Sequence, residues 1–252
     1  MEKPAAVDPV GIRTLLEASA RATEKGVSLV VGTQQRYAPQ YLELIQRLRD
    51  GQIGELTHLE ALWIGDMELW HYHDRQDSWS DMEWQVRCWP LFTWLSGDHY
   101  VEQLVHNLDV VNWVADATPV VCQGLGGRQV RTGPEFGNIF DHFAVEFEYP
   151  GGLSMFSQAR QINRCQNKVE EFVQGTEGIS NCKDYISSKK GDDWRYRRPR
   201  GNEPKDLPYE QEHLDLIASI KAGNPLNEAQ AVAESTMTGI MGREDCYSGQ
   251  TI

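Results

Sequence analysis

The sequence predicts an α+β fold, a largely antiparallel, open-faced β-sheet with flanking helices. Three observations predict it. Segments with helical spacing stand at both ends of the chain. Between residues 120 and 175 lies a run of alternating strand signals rather than an alternation of strands and helices. Pro150-Gly151-Gly152 joins two of those strands as a hairpin.

The elements follow in order. Asp8 and Pro9 suit an N-cap and first helical position, Ile12, Leu15, Leu16 and Ala20 recur at helical spacing, and Lys25-Gly26 closes the helix. Val27 to Val31 is a short continuous apolar run, which suits a parallel strand buried on both faces. A second helix is predicted over 38–50 and a strand over 55–64. Residues 66–97, rich in Trp, His, Asp and Ser, read as a long loop with one short helix near 84–94, and loops of that length are often functional. One continuous helix is predicted over 98–114, then strands over 120–123, 140–149, 152–160 and 169–175, and finally helices over 208–221 and 228–241. An antiparallel sheet can leave one face uncovered, and an apolar uncovered face needs a partner subunit.

Composition narrows the function. The chain has 252 residues, 37 acidic against 24 basic, and a formal net charge of -13. That balance excludes nucleic acid and anionic membrane as expected partners, since both repel a net anion. The basic run Trp194 to Arg200 reads as a solvated loop or strand end. Five cysteines without a CxxC pair predict free thiols in a reducing compartment, here the cytoplasm, with parent proteins that include exported ones.

The densest polar constellation is Gly97 to Asp109. On a helix His99, Glu102, His106 and Asp109 form one stripe of alternating imidazoles and carboxylates. A carboxylate beside a histidine can orient it and tune its basicity for acid–base work. The same pattern also suits a solvated polar face. A metal site from His99, Glu102 and His106 is geometrically possible but carries no zinc signature, and none is expected. His71 and His73, with Trp70 and Trp79, offer the aromatic faces and polar tips that suit a carbohydrate pocket.

Glu2-Lys3-Pro4, Gly32-Thr33-Gln34-Gln35-Arg36-Tyr37, Gly54-Glu55-Leu56 and the 99–109 helix, in this order over nearly the whole chain, resemble the Gfo/Idh/MocA oxidoreductases (the glucose-fructose oxidoreductase and inositol dehydrogenase family). The resemblance implies a C-terminal domain of that type, residues 37–252, which binds substrate and oligomerises. It is preceded by one remnant α/β unit of a Rossmann domain, residues 1–36. It implies Lys3, Glu102 and His106 as catalytic residues, with Glu102 standing where the family commonly has Asp. Arg36, Tyr37, His71, His73, Trp79, His99 and Asp109 are the residues expected around a sugar, inositol or related polyol, and the resemblance implies Glu2, Lys3 and Pro4 at the cofactor. The implied cofactor is NAD or NADP. The implied assembly is a homodimer or homotetramer through the open sheet face.

One departure limits these implications. No Gly-rich phosphate loop opening a helix is present, and Gly124 to Gly127 reads as a turn or bulge among strands. Met1 stands directly before Glu-Lys-Pro, as in a chain whose nucleotide-binding region is truncated. The expected function is therefore oxidoreductase-type chemistry on a polyol, with redox activity and NAD(P) binding depending on a domain this chain lacks. Two alternatives remain. One is a cofactor-independent sugar or lactone binder, hydrolase or lyase; the other is a structural oligomerisation module.

Overall fold

A computed structural model of the chain describes residues 1–65, 72–197 and 207–252. Eight strands form one sheet in the order β2-β3-β4-β1-β5-β6-β7-β8. They are β1 (Leu56–Gly65), β2 (Val121–Gly127), β3 (His142–Glu148), β4 (Ser154–Gln161), β5 (Lys168–Gly175), β6 (Gly178–Ser180), β7 (Tyr185–Ser188) and β8 (Trp194–Arg195). Only β1 and β4 run parallel; every other neighbouring pair is antiparallel. The helices are α1 (Pro9–Glu24), α2 (Pro39–Arg49), α3 (Asp81–Arg87), α4 (Thr93–Ser96), α5 (His99–Glu102), α6 (Val105–Ala115), α7 (Leu207–Ala222) and α8 (Ala229–Ser248). The expected α+β class and open antiparallel sheet are borne out.

Strand alternation decides which face is covered. Leu59 and Ala61 of β1, Val145 and Phe147 of β3, Met155 of β4 and Val173 of β5 point to one face and pack against Leu104, Leu108 and Val111 beneath it. The opposite face carries the alternate residues, such as Glu60, Glu146, Gln158 and Lys168, and among the described residues no helix of the main core covers it. A second cluster joins α1 to α8 through Ile12, Val101, Ala233 and Ile240. No described helix is long and apolar enough to cross a membrane. All five cysteines are free thiols.

Several local expectations change. Val27 to Val31 is not a sheet strand but makes one isolated bridge, Leu29 to Asn227, because among the described residues no strand lies beside it. Its backbone is satisfied instead by Leu226 and Glu228 of the segment leading into α8. Gly124 to Gly127 lies within β2 rather than in a turn. A Cβ on Gly124 would meet Ala144 and Val145 of β3, and one on Gly126 would press on Cys246 of α8, so these glycines permit close packing. The single helix over 98–114 is two helices, α5 and α6, broken at Gln103 and Leu104.

Candidate active site at the break between two helices

The helix break has a local cause. Lys3 Nζ donates to the main-chain oxygen of Glu102 at 2.5 Å and to its Oε1 at 2.5 Å. In an unbroken helix that main-chain oxygen would accept the amide of His106. The His106 amide instead reaches Gln103 O at 3.4 Å, and that of Leu104 reaches back to His99 O at 3.4 Å. A side chain inserted into a helix ladder is a recognised cause of such breaks.

The terminal segment that carries Lys3 is pinned on both sides. Gly32 N donates to Met1 O at 3.3 Å, and Ala5 N donates to Thr236 Oγ1 of α8 at 3.1 Å. A Cβ on Gly32 would fall on the Glu2 carboxylate, which would have to move aside. The peptide bond between Lys3 and Pro4 is cis. The Lys3–Glu102 ion pair is largely buried, and Gln103 Nε2 donates to the second carboxylate oxygen of Glu102.

The break disperses the expected stripe. His106 stacks on Trp63 of β1, with ring centroids 6.3 Å apart and planes 28° apart. Its imidazole is buried, and burial followed by the Lys3 charge lowers its pKa to about 3. His106 is therefore neutral in the free protein at ordinary pH. Its Nδ1 has no hydrogen-bond partner among the described residues. Asp109 takes a bidentate bond from Arg36 at 2.8 and 2.9 Å and accepts from Ser235 Oγ at 2.7 Å. Arg36 also lies over the Trp113 ring at 5.0 Å. His99 turns the other way, edge-on to Phe143 with centroids 5.3 Å apart, and burial lowers its pKa to about 3.

A cavity of about 550 Å³ opens beside His106, lined among others by Gln34, Gln35, Trp63, Asn107, Glu171 and Lys183. Lys3 and Glu102 do not line it; the Lys3 charge acts on His106, which does. Glu171 of β5 is buried, accepts Asn107 Nδ2 at 2.7 Å, and has its pKa raised by burial to about 8. Sequence reasoning missed Trp63, Asn107 and Glu171 as site residues. For Glu171 a signal existed, since a glutamate occupies the inward position between Val169 and Val173.

The remaining candidates lie elsewhere. Tyr37 donates its hydroxyl to Glu228, and burial together with that carboxylate raises its pKa. Glu228 also accepts Val31 N at 2.8 Å. His73 is exposed, its amide donating to Cys88 Sγ at 3.3 Å, and Trp79 lies under Arg87 at 4.5 Å. Arg36, Tyr37, His73, Trp79, His99 and Asp109 do not line the His106 cavity. His71 lies outside the described residues. No described group of three His, Cys, Asp or Glu side chains is placed to hold a metal ion.

No protein-family model matches the sequence. A 2,7-anhydro-N-acetylneuraminate hydratase from Escherichia coli is 25% identical over 156 residues, a match covering 62% of this chain and 37% of that relative. Three solved structures are each covered along the whole of this chain. An oxidoreductase domain protein from Kribbella flavida has a TM-score of 0.79 at 16% identity, with 72% of its chain covered. Myo-inositol 2-dehydrogenase from Lactobacillus plantarum has a TM-score of 0.70 at 17% identity, with 71% of its chain covered. GenD2 from gentamicin A biosynthesis, in complex with NAD, has a TM-score of 0.70 at 15% identity, with 70% of its chain covered.

The chain thus has the fold of the Gfo/Idh/MocA-type oxidoreductases, at the level of its sheet and flanking helices. Its solved neighbours include an inositol dehydrogenase and a protein bound to NAD.

Proposed function

We propose that this chain binds a sugar, inositol or related polyol in the cavity beside His106 and carries out proton transfer on it. The chain is then a member of the Gfo/Idh/MocA family. The observation that carries this reading is the buried Lys3–Glu102 pair next to a neutral, unpartnered imidazole at the cavity wall. A neutral imidazole can accept the proton of a ligand hydroxyl, and the Lys3 ammonium favours the oxyanion left behind. The same charge that lowers the His106 pKa in the free protein is offset by that developing anion, so proton uptake becomes easier as the reaction proceeds.

The family's cofactor, NAD or NADP, supplies a hydride acceptor when bound. At the N-terminus of α1 a pyrophosphate would meet Asp8, whose own carboxylate already takes the free amide of Gly11 at 2.7 Å. A second reading, hydratase or lyase chemistry, is favoured by the likeness to a hydratase. Homo-oligomerisation through the uncovered sheet face is part of the proposal.

Calorimetric titration of the chain with myo-inositol and glucose tests the reading. Saturable binding is expected, and absence of binding up to about 100 mM, far weaker than an ordinary KM, would overturn it. Titration with NADH and NADPH then chooses the chemistry. Nicotinamide binding selects the dehydrogenase reading, and its absence means that this chain alone is not a dehydrogenase.

A further inference from the structure

We propose that Glu171 is a further substrate-contacting residue of this cavity, acting as a neutral carboxylic acid that donates a hydrogen bond to a ligand oxygen while Asn107 accepts one from a neighbouring hydroxyl. The inference rests on the polyol reading above and deepens it.

The geometry comes first. Glu171 sits at an inward position of β5, opposite Ala61 of β1, with the side chains of Val169 and Val173 on the same face. It is 4% exposed, yet it lines the cavity with His106 and Asn107. Asn107 is 2% exposed, and its Oδ1 has no hydrogen-bond partner among the described residues although its Nδ2 is taken by Glu171. A buried carbonyl oxygen left without a donor is costly, and a ligand hydroxyl entering this cavity would supply one.

The surroundings of Glu171 keep its carboxyl protonated. Tyr41 and Glu171 face each other from α2 and β5, Asn107 and His106 come from α6, Cys182, Lys183 and Asp184 from the turn before β7, and Glu170 is its neighbour in the strand. Of these only Lys183 carries positive charge, and its side chain is exposed. Glu171 makes no ion pair among the described residues, so burial prevails and the acid titrates at about 8. At neutral pH the cavity then presents an acid hydroxyl as donor, an amide oxygen as acceptor, a neutral imidazole and an indole face. That set suits adjacent hydroxyls on an uncharged ring.

The test compares the wild-type chain with Glu171→Gln and Glu171→Ala, using myo-inositol and glucose as probes from pH 5.5 to 9.5. Gln keeps a neutral donor and an acceptor for Asn107. Wild-type affinity is expected to hold to neutrality and to fall about tenfold per pH unit above the carboxyl's pKa. Glu171→Gln should bind within about threefold of wild type at pH 7 and lose the alkaline fall, whereas Glu171→Ala should bind at least roughly tenfold more weakly. Wild-type-like binding by Glu171→Ala would overturn the proposal. So would a Gln variant that keeps the alkaline fall. If circular dichroism shows Glu171→Ala unfolded, the pH profile of the Gln variant decides alone. Failure of the wild type to bind either probe would overturn the polyol reading itself. Binding that is lost in His106→Ala but unmoved in both Glu171 variants would overturn only the role of Glu171.

Discussion

His99 and His106 stand seven residues apart in one motif, both buried and both held neutral by burial, yet they occupy different environments. His99, on α5, lies against Phe143 in the packed interior. His106, past the break, stacks on Trp63, feels the Lys3 charge and lines a cavity. Burial is the larger cause that keeps both imidazoles neutral. What gives an imidazole chemistry is an open volume beside it and a charged neighbour. The Lys3 side chain makes that difference, since it occupies the Glu102 carbonyl and turns the two histidines onto separate faces.

The largest effect expected from this contrast is functional. His106→Ala should lower turnover or binding of a polyol by about a hundredfold or more, while His99→Leu should leave it within about threefold, a loss too small to reflect a ligand contact. Equal losses in steady-state or calorimetric assays would erase the distinction between the two regions.

The next effect concerns Lys3. Lys3→Met leaves a buried carboxylate without its cation and should destabilise the fold by about 3 kcal/mol in urea unfolding. The double variant Lys3→Met/Glu102→Met should regain most of that stability and none of the function. Full function in the double variant would remove the ion pair from the site.

A smaller effect follows from pH. A histidine whose folded pKa is about 3, against about 6.5 unfolded, binds fewer protons folded than unfolded between those values. Its contribution to stability is therefore lost as pH falls from about 6.5 toward 3. Asp98, raised to about 6 by burial, works in the opposite sense over the upper part of that window. His99→Leu should accordingly lose less stability than wild type between pH 6.5 and 4, read from urea midpoints. Glu171 gives the mirror image. Its raised pKa means that stability falls as pH rises from the ordinary carboxyl range to about 8, so Glu171→Gln should gain over wild type across that interval. A constant difference with pH would show that Glu171 is ionised in the folded chain.

Much of the fold was legible in the sequence for physical reasons. Period-two alternation over 140–149 and 152–160, joined by Pro150-Gly151-Gly152, marks β3 and β4 because a half-covered sheet demands it. The Val27 to Val31 run misled because continuous apolar residues satisfy buried coil as well as buried strand. The site was legible in part. Lys3 pairs with Glu102 and its charge acts on His106, but the stripe from His99 to Asp109 assumed an unbroken helix. The residue that breaks it lies 99 positions away from Glu102, beyond any local periodicity. Trp63 and Glu171 arrive from two neighbouring antiparallel strands, a pairing that only the folded register reveals.

The most direct test of the central claim is imidazole nitrogen NMR of the intact chain during titration with myo-inositol. The expected result is a saturable shift of the His106 ring signals with those of His99 unmoved. Saturable binding that moves His99 and leaves His106 in place would contradict the assignment of the cavity beside His106 as the site.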